Sequence, residues 1–150
     1  MKTRILLTSL ICLAATAALA ETQFTATLDG ASSGTPSPAT GTAVMILNDA
    51  QTELSYTITY SGLTGTEVAA HFHNAPPGSN GPILEPLPAG EPKVGVWMVS
   101  PSDVVELMAG RVYINVHTNL YPAGEIRGNV TFDTVASEES SLSSVKTEYR

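Results

Sequence analysis

Apolar and polar residues alternate along most of the chain beyond residue 22, a pattern that is typical of half-buried β-strands. In the first such run Phe24, Ala26 and Leu28 fall on one side, and Thr25 and Thr27 fall on the other. Similar runs recur with turn residues between them. The predicted strands cover residues 24–29, 42–48, 54–60, 68–74, 93–99, 112–118 and 125–132. Short strands with frequent turns predict an all-β fold, an antiparallel sandwich or barrel.

One short helix interrupts this pattern. Ser100 is a typical N-cap, Pro101 suits the first helical position and Asp103 places an acid in the first turn. The helix is expected to end before Gly110. The methionines at positions 45, 98 and 108 are expected in the core, together with Phe24, Leu28, Val44, Ile58, Phe72, Val96, Val112, Ile114, Val116, Ile126 and Val130.

The first 20 residues resemble a secretory signal peptide. Lys2 and Arg4 precede an apolar run, and Ala18-Leu19-Ala20 is a small-x-small cleavage signal. We therefore expect a mature protein that begins near Glu21 and is secreted or periplasmic. The predicted organisation is a signal peptide at 1–20, one domain at 21–133 and a flexible Ser/Glu-rich tail at 134–150.

Removal of that peptide changes the charge and the cysteine content. The chain has 7 basic and 14 acidic residues, so the loss of Lys2 and Arg4 leaves a net charge of −9. This acidity argues against nucleic acids and anionic membranes as partners. The only cysteine, Cys12, leaves with the peptide, so no disulfide is expected. No second apolar run is long enough to span a bilayer.

The chain has three histidines, and the strand pattern predicts that all of them face outward. Residues i and i+2 of a strand share a face, so His71 and His73 lie together while Phe72 points into the core. On the strand 112–118 the apolar residues face the core, which turns His117 outward as well. A His-x-His pair joined by a third histidine suits a transition metal and leaves one coordination position open. The alternative is three ordinary solvated histidines.

Several segments resemble the CHRD domain, the module named after chordin. They are H-F-H (71–73), N-G-P-I (80–83), Y-I-N-V-H-T (113–118), P-A-G-E-I-R-G (122–128), F-T-A-T-L (24–28) and the L-x-Y-x-I-x-Y-S-G-L run (54–63). The resemblance extends over residues 22–132. It places the whole predicted domain in one family, most of whose members are functionally uncharacterised.

The order of the histidines is also similar to that of copper-zinc superoxide dismutase, a Greek-key β-sandwich. That resemblance implies a superoxide-dismutase-like or immunoglobulin-like Greek-key fold in which His71, His73 and His117 hold copper. Arg127 falls near the arginine that guides superoxide, which makes it a candidate catalytic residue. This chain lacks the bridging histidine, the zinc-binding loop and the disulfide, so a mononuclear site is the most that it can support.

Three functions therefore remain open. The favoured one is the handling of one copper ion, or oxidant defence, through the three histidines, with zinc as the alternative metal because three imidazoles suit both. The second is a metal-free extracellular binding or matrix module, and the third is a copper-only dismutase-like enzyme. Binding is favoured over catalysis. Arg127 either attracts an anion or forms a surface ion pair with Glu125, and Tyr113 is expected to pack on the sheet surface.

Overall fold

The computed structural model of the protein describes residues 21–132. The predicted signal peptide and the predicted tail lie outside these residues. The described chain forms nine strands and two short helices. In chain order these are β1 (Thr22–Asp29), α1 (Gly30–Ser33), β2 (Thr40–Leu47), β3 (Glu53–Ser61), β4 (Glu67–Asn74), β5 (Ile83–Pro86), β6 (Lys93–Met98), α2 (Pro101–Met108), β7 (Val112–Thr118), β8 (Ile126–Asn129) and β9 (Thr131–Phe132).

All the strands belong to one antiparallel sheet that curls into a nearly closed barrel. The order of neighbouring strands is β5-β4-β7-β8-β1-β2-β3-β6, and β9 pairs with β1. The hairpin predicted from residues 42–48 and 54–60 is present as β2 and β3, which pair from Thr40 with Ser61 to Leu47 with Leu54. The all-β antiparallel prediction is confirmed. The histidine-bearing strands, β4 and β7, are direct neighbours.

Each predicted strand is found, although the last is divided into β8 and β9. The predicted helix is α2, and Ser100 and Asp103 form a capping box at its start. The prediction of a single helix was wrong, because α1 adds a second one in the turn-rich segment after β1. Its amide at Ser32 is capped by the Asp29 carboxylate, and Gly34 ends it with a φ of 74°. The short strand β5 was not predicted either.

The core lies inside the barrel and contains most of the residues predicted for it. The confirmed members are all fully buried: Phe24, Leu28, Ile58, Phe72, Val112, Ile114, Val116, Ile126 and Val130. Two side chains that the sequence did not single out fill the remaining space. Trp97 stacks on Phe72 with ring centroids 5.2 Å apart, and Tyr56 meets Phe72 edge-on at 5.5 Å.

The faces predicted for β2 and β6 were wrong. Val44 and Val96 were expected inside, but they are 46% and 52% exposed. On β2 both faces carry some large apolar residues, and the inward face holds Ala43 and Met45 instead of Val44. Because successive strand residues alternate between faces, a register error of one residue reverses every assignment on the strand.

On β6 the composition of the inward face explains why Val96 was assigned to the core. It carries Lys93, which is fully buried and forms an ion pair with Glu67, and Trp97. Between them Gly95 leaves room for the Tyr56 ring. Met98 and Met108, also expected in the core, are exposed, whereas Met45 is buried as predicted.

The register of β2 can be tested by a pair of substitutions. Met45→Ala should lower the free energy of unfolding by roughly 2–5 kcal/mol, because it leaves a cavity in the core. Val44→Ala should cost less than about 1 kcal/mol, since it removes only partly exposed surface and some strand propensity. Urea denaturation of both variants measures the difference, and a larger loss for Val44→Ala would contradict this register.

Neither helix of the described segment has the length and apolar character needed to cross a membrane.

Candidate metal centre

The structure brings the three histidines together on the outer face of β4 and β7. His71 and His73 lie two residues apart on β4, and His117 lies on the neighbouring β7. The imidazole centroids are 5.1 Å apart for His71 and His117, 5.4 Å for His71 and His73, and 5.8 Å for His73 and His117. Each ring offers one nitrogen, and these three nitrogens lie within 4.8 Å of one another. The predicted convergence of the three side chains is therefore present.

Backbone carbonyl groups fix two of the rings. His73 Nδ1 lies 3.0 Å from the Gly81 carbonyl oxygen, and His117 Nδ1 lies 2.9 Å from the Pro122 carbonyl oxygen. A carbonyl oxygen only accepts, so in both rings Nδ1 carries the hydrogen and donates it. In a neutral imidazole the Nε2 lone pair is then free. This is the usual outer support of a metal-binding histidine, which orients the ring and settles its tautomer.

The free nitrogens have the surroundings that a metal ligand needs. His73 Nε2 is buried and has no hydrogen-bond partner among the described residues. His117 Nε2 lies 3.2 Å from His71 Nδ1 and accepts a hydrogen bond from it, since His117 Nδ1 already carries the ring hydrogen. Two nitrogens bound at about 2.0–2.1 Å to one tetrahedral ion are separated by roughly 3.3 Å, so this spacing already suits a shared metal. The donor set of three imidazoles therefore fits a transition-metal ion.

The environment also favours the neutral form that binds metals. Desolvation is the main cause that lowers the pKa of His71, and the neighbouring His117 and His73 lower it further. Desolvation likewise lowers the pKa of His73, against the opposing effect of its hydrogen bond to Gly81. Because a lowered pKa keeps an imidazole deprotonated, neither ring requires a pH far above neutrality to act as a ligand.

The outer face is covered over His73, whereas His71 and His117 are partly exposed. His73 is only 7% exposed because the segment after β4 folds back over it. Gly81 holds this segment in place: its carbonyl accepts from His73 and its amide donates to the Tyr113 hydroxyl, 3.1 Å away. Any Cβ at Gly81 would overlap the Asn74 carbonyl oxygen, so the close approach requires glycine.

Tyr113 lies on β7 between His73 and Arg127. Its ring stacks on the His73 imidazole with centroids 4.9 Å apart and an angle of 9° between the planes. The Arg127 guanidinium lies 3.5 Å from the centroid of the same ring. Tyr113 was expected only to pack on the sheet surface, but it also holds the orientation of His73. This role follows from its place directly opposite His73 in the β4–β7 pairing, which the sequence alone does not show.

Arg127 lies on the predicted side of the sheet, yet it is not a surface residue. It is 4% exposed, and its Nη1 donates to Asn80 Oδ1 over 3.2 Å. Desolvation lowers the pKa of this guanidinium. Its neighbour Asn115 is also buried and donates to the Ala123 carbonyl oxygen.

The predicted surface ion pair between Glu125 and Arg127 is wrong. Glu125 is fully buried and accepts hydrogen bonds from the Ser37 hydroxyl at 2.6 Å, the Thr64 amide at 2.6 Å, the Thr64 hydroxyl at 2.9 Å and the Gly65 amide at 3.2 Å. Although burial alone would raise the pKa of this carboxyl, the donors lower it to about 2. Glu125 therefore joins the segment before β2 and the turn before β4 to the segment that precedes β8.

Residues 24–130 match the family model of the CHRD domain. No curated protein matches the chain, and no solved structure does. The similarity to the copper site of superoxide dismutase is therefore not confirmed by these comparisons.

Proposed function

The chain belongs to the CHRD domain family, and we propose that its barrel binds one copper ion through His71, His73 and His117. The observation that carries this proposal is the state of the two fixed rings. In both rings Nδ1 donates to a carbonyl oxygen, so Nε2 carries no hydrogen; that of His73 is buried without a partner, and that of His117 lies 3.2 Å from His71 Nδ1. A buried polar atom without a partner is costly, so a ligand that accepts its lone pair accounts for its presence.

Copper is proposed because the affinity of nitrogen sites for divalent first-row ions peaks at copper. Three imidazoles also suit zinc, so zinc is the alternative metal. When bound, copper would either supply redox chemistry at this site or be stored there by the protein. The residues of this chain would hold and orient it: His73 and His117 through their carbonyl partners, and His71 through its contact with His117.

Binding or delivery of copper is proposed rather than catalysis. A dismutase-like enzyme would use a cation that reaches toward the metal and the incoming anion. Arg127 instead stacks on Tyr113 and contacts Asn80. The protein is proposed to act outside the cytoplasm, in the periplasm or after secretion, since residues 1–20 resemble a secretory signal. If the following experiment finds no metal ion, it supports the alternative function, a metal-free extracellular binding module.

The proposal is tested by elemental analysis of the protein purified from its native compartment, with His117→Ala as the comparison. We expect about one copper per chain in the wild type and little in the variant. Zinc at the same stoichiometry would preserve the site but change its metal. Equal metal content in wild type and His117→Ala, or no metal in either, would overturn the proposal.

Copper affinity should also depend on pH. Protons compete for imidazole near its ordinary pKa of about 6.5, and because the pKa values of His71 and His73 are lowered, the competition should become severe only below about pH 6. The stabilisation by copper is thus fully present above this range and is lost as the pH falls. Calorimetric titrations with copper between about pH 5 and 8, the range in which imidazole titrates, measure this dependence. An affinity that does not change with pH would contradict histidine ligation.

A further inference from the structure

We propose that Arg127 forms a binding site for a small oxyanion, a carboxylate or a phosphate, separate from the histidine cluster. A cavity of about 290 Å³ lies beside Arg127, between α1 and the segment at residues 78–80. Ser32 and Ser33 line it on one side, and Gly78 and Asn80 line it on the other. This inference does not rest on the proposed copper site.

The charge of Arg127 is buried without a counter-charge. The two ion pairs among residues 21–132 are Lys93 with Glu67 and Arg111 with Glu106, and neither includes Arg127. The acid opposite it on the neighbouring strand, Asp29, accepts instead from the Ser32 amide. A buried cation with no anionic partner has lost its hydration without the usual compensation.

The donors of Arg127 are also incompletely used. Nη1 donates to the neutral Asn80 amide oxygen at 3.2 Å, while Nη2 is buried and has no partner within the described chain. The stack on Tyr113 offsets part of the lost hydration, but it satisfies no N–H group. The side chain is therefore held in place with an unsatisfied donor beside a cavity.

An oxyanion is the ligand that these groups fit. The planar guanidinium presents parallel N–H groups that match two oxygens of a carboxylate or a phosphate. A charged acceptor forms stronger hydrogen bonds than the amide oxygen of Asn80, so an anion can displace it. An anion from solvent can reach and displace the Asn80 side chain, because Asn80 is exposed, as are Ser32 and Gly78 along the cavity. The volume limits the ligand to a small molecule.

The test is a titration of the full chain with inorganic phosphate, acetate and chloride at constant ionic strength. The protein is first passed over a chelating resin, so that an anion bound to a metal cannot contribute. The readout is the side-chain Nε–H signal of Arg127 in a nitrogen-15 NMR spectrum, assigned by its loss in Arg127→Gln. We expect saturable shifts with phosphate or acetate and none with chloride, and the stronger of the two oxyanions identifies the ligand class.

Two variants decide whether Arg127 is responsible. Asn80→Asp places a carboxylate beside Nη1 at an exposed position of nearly identical shape. It should raise the melting temperature and weaken the binding of the oxyanion by about tenfold or more. Arg111→Gln, at an arginine that already has Glu106 as its partner, should leave binding unchanged. The absence of saturable shifts with either oxyanion, or unchanged affinity in Asn80→Asp, would overturn the proposal.

Discussion

Replacing His73 with alanine should lower the affinity for copper by about 100-fold or more, since even the loss of an outer partner of a ligand costs 10–100-fold. His73 is the most buried of the three imidazoles, and its Nε2 has no other partner within residues 21–132. Calorimetric titration with copper gives the affinity. Val94→Ala is the matched control, because Val94 is exposed on β6, a strand that carries none of the three histidines.

The same variant separates binding at the cluster from adventitious binding elsewhere. Copper in excess should raise the melting temperature of the wild type and of Val94→Ala, since at 100 times Kd a ligand adds about 2.7 kcal/mol of stability. It should leave His73→Ala nearly unchanged. Equal stabilisation of His73→Ala and the wild type would place the copper elsewhere on the chain.

Replacing Glu125 with glutamine should lower the free energy of unfolding by roughly 2–4 kcal/mol, since it weakens several charge-assisted hydrogen bonds in a buried site. Glutamine keeps the shape of the side chain, but one of its two terminal groups is a donor that faces the donors of Ser37, Thr64 or Gly65. Glu53→Gln, at an exposed position of β3, is the control and should change stability by less than about 0.5 kcal/mol. Urea denaturation measures both.

The pH dependence of stability gives an independent check on Glu125. Its pKa in the folded protein is about 2, below the ordinary value of 4.5. The carboxylate therefore stabilises the fold fully above pH 4.5, and this contribution is lost as the pH falls toward 2. Glu125→Gln should remove this part of the acid sensitivity. Identical acid unfolding curves for the variant and the wild type would contradict the buried carboxylate.

The sequence predicted the histidine cluster because its cause is local. On a strand the period of two residues puts His71 and His73 on one face and Phe72 on the other. The same period on β7 turns His117 outward. The neighbouring position of β4 and β7 then brings the three together.

The contacts that hold the cover over His73 were beyond such reasoning. It is made by irregular segments whose contacts use backbone groups, the carbonyls of Gly81 and Pro122, and backbone groups have no side-chain signature. The burial of Glu125 was missed for a related reason. Its partners, Ser37, Thr64 and Gly65, are distant in sequence and meet only in the folded barrel.

The errors on β2 and β6 have a different origin. On β2 a large apolar side chain stands on each face, Val44 on one and Met45 on the other, so such residues alone do not identify the buried face. On β6 the apolar series of Val94 and Val96 concealed an inward face that depends on the buried ion pair of Lys93 and on the size of Trp97. The position of a charged residue in a core depends on its partner, which a single strand does not reveal.

Pulsed electron paramagnetic resonance of the copper(II)-loaded protein shows directly whether three imidazoles hold one copper ion. This measurement counts the histidine nitrogens coupled to the ion. We expect the couplings of three imidazoles in the wild type and of two in His73→Ala. The same spectrum in both proteins, or a wild-type spectrum without imidazole couplings, would contradict this expectation.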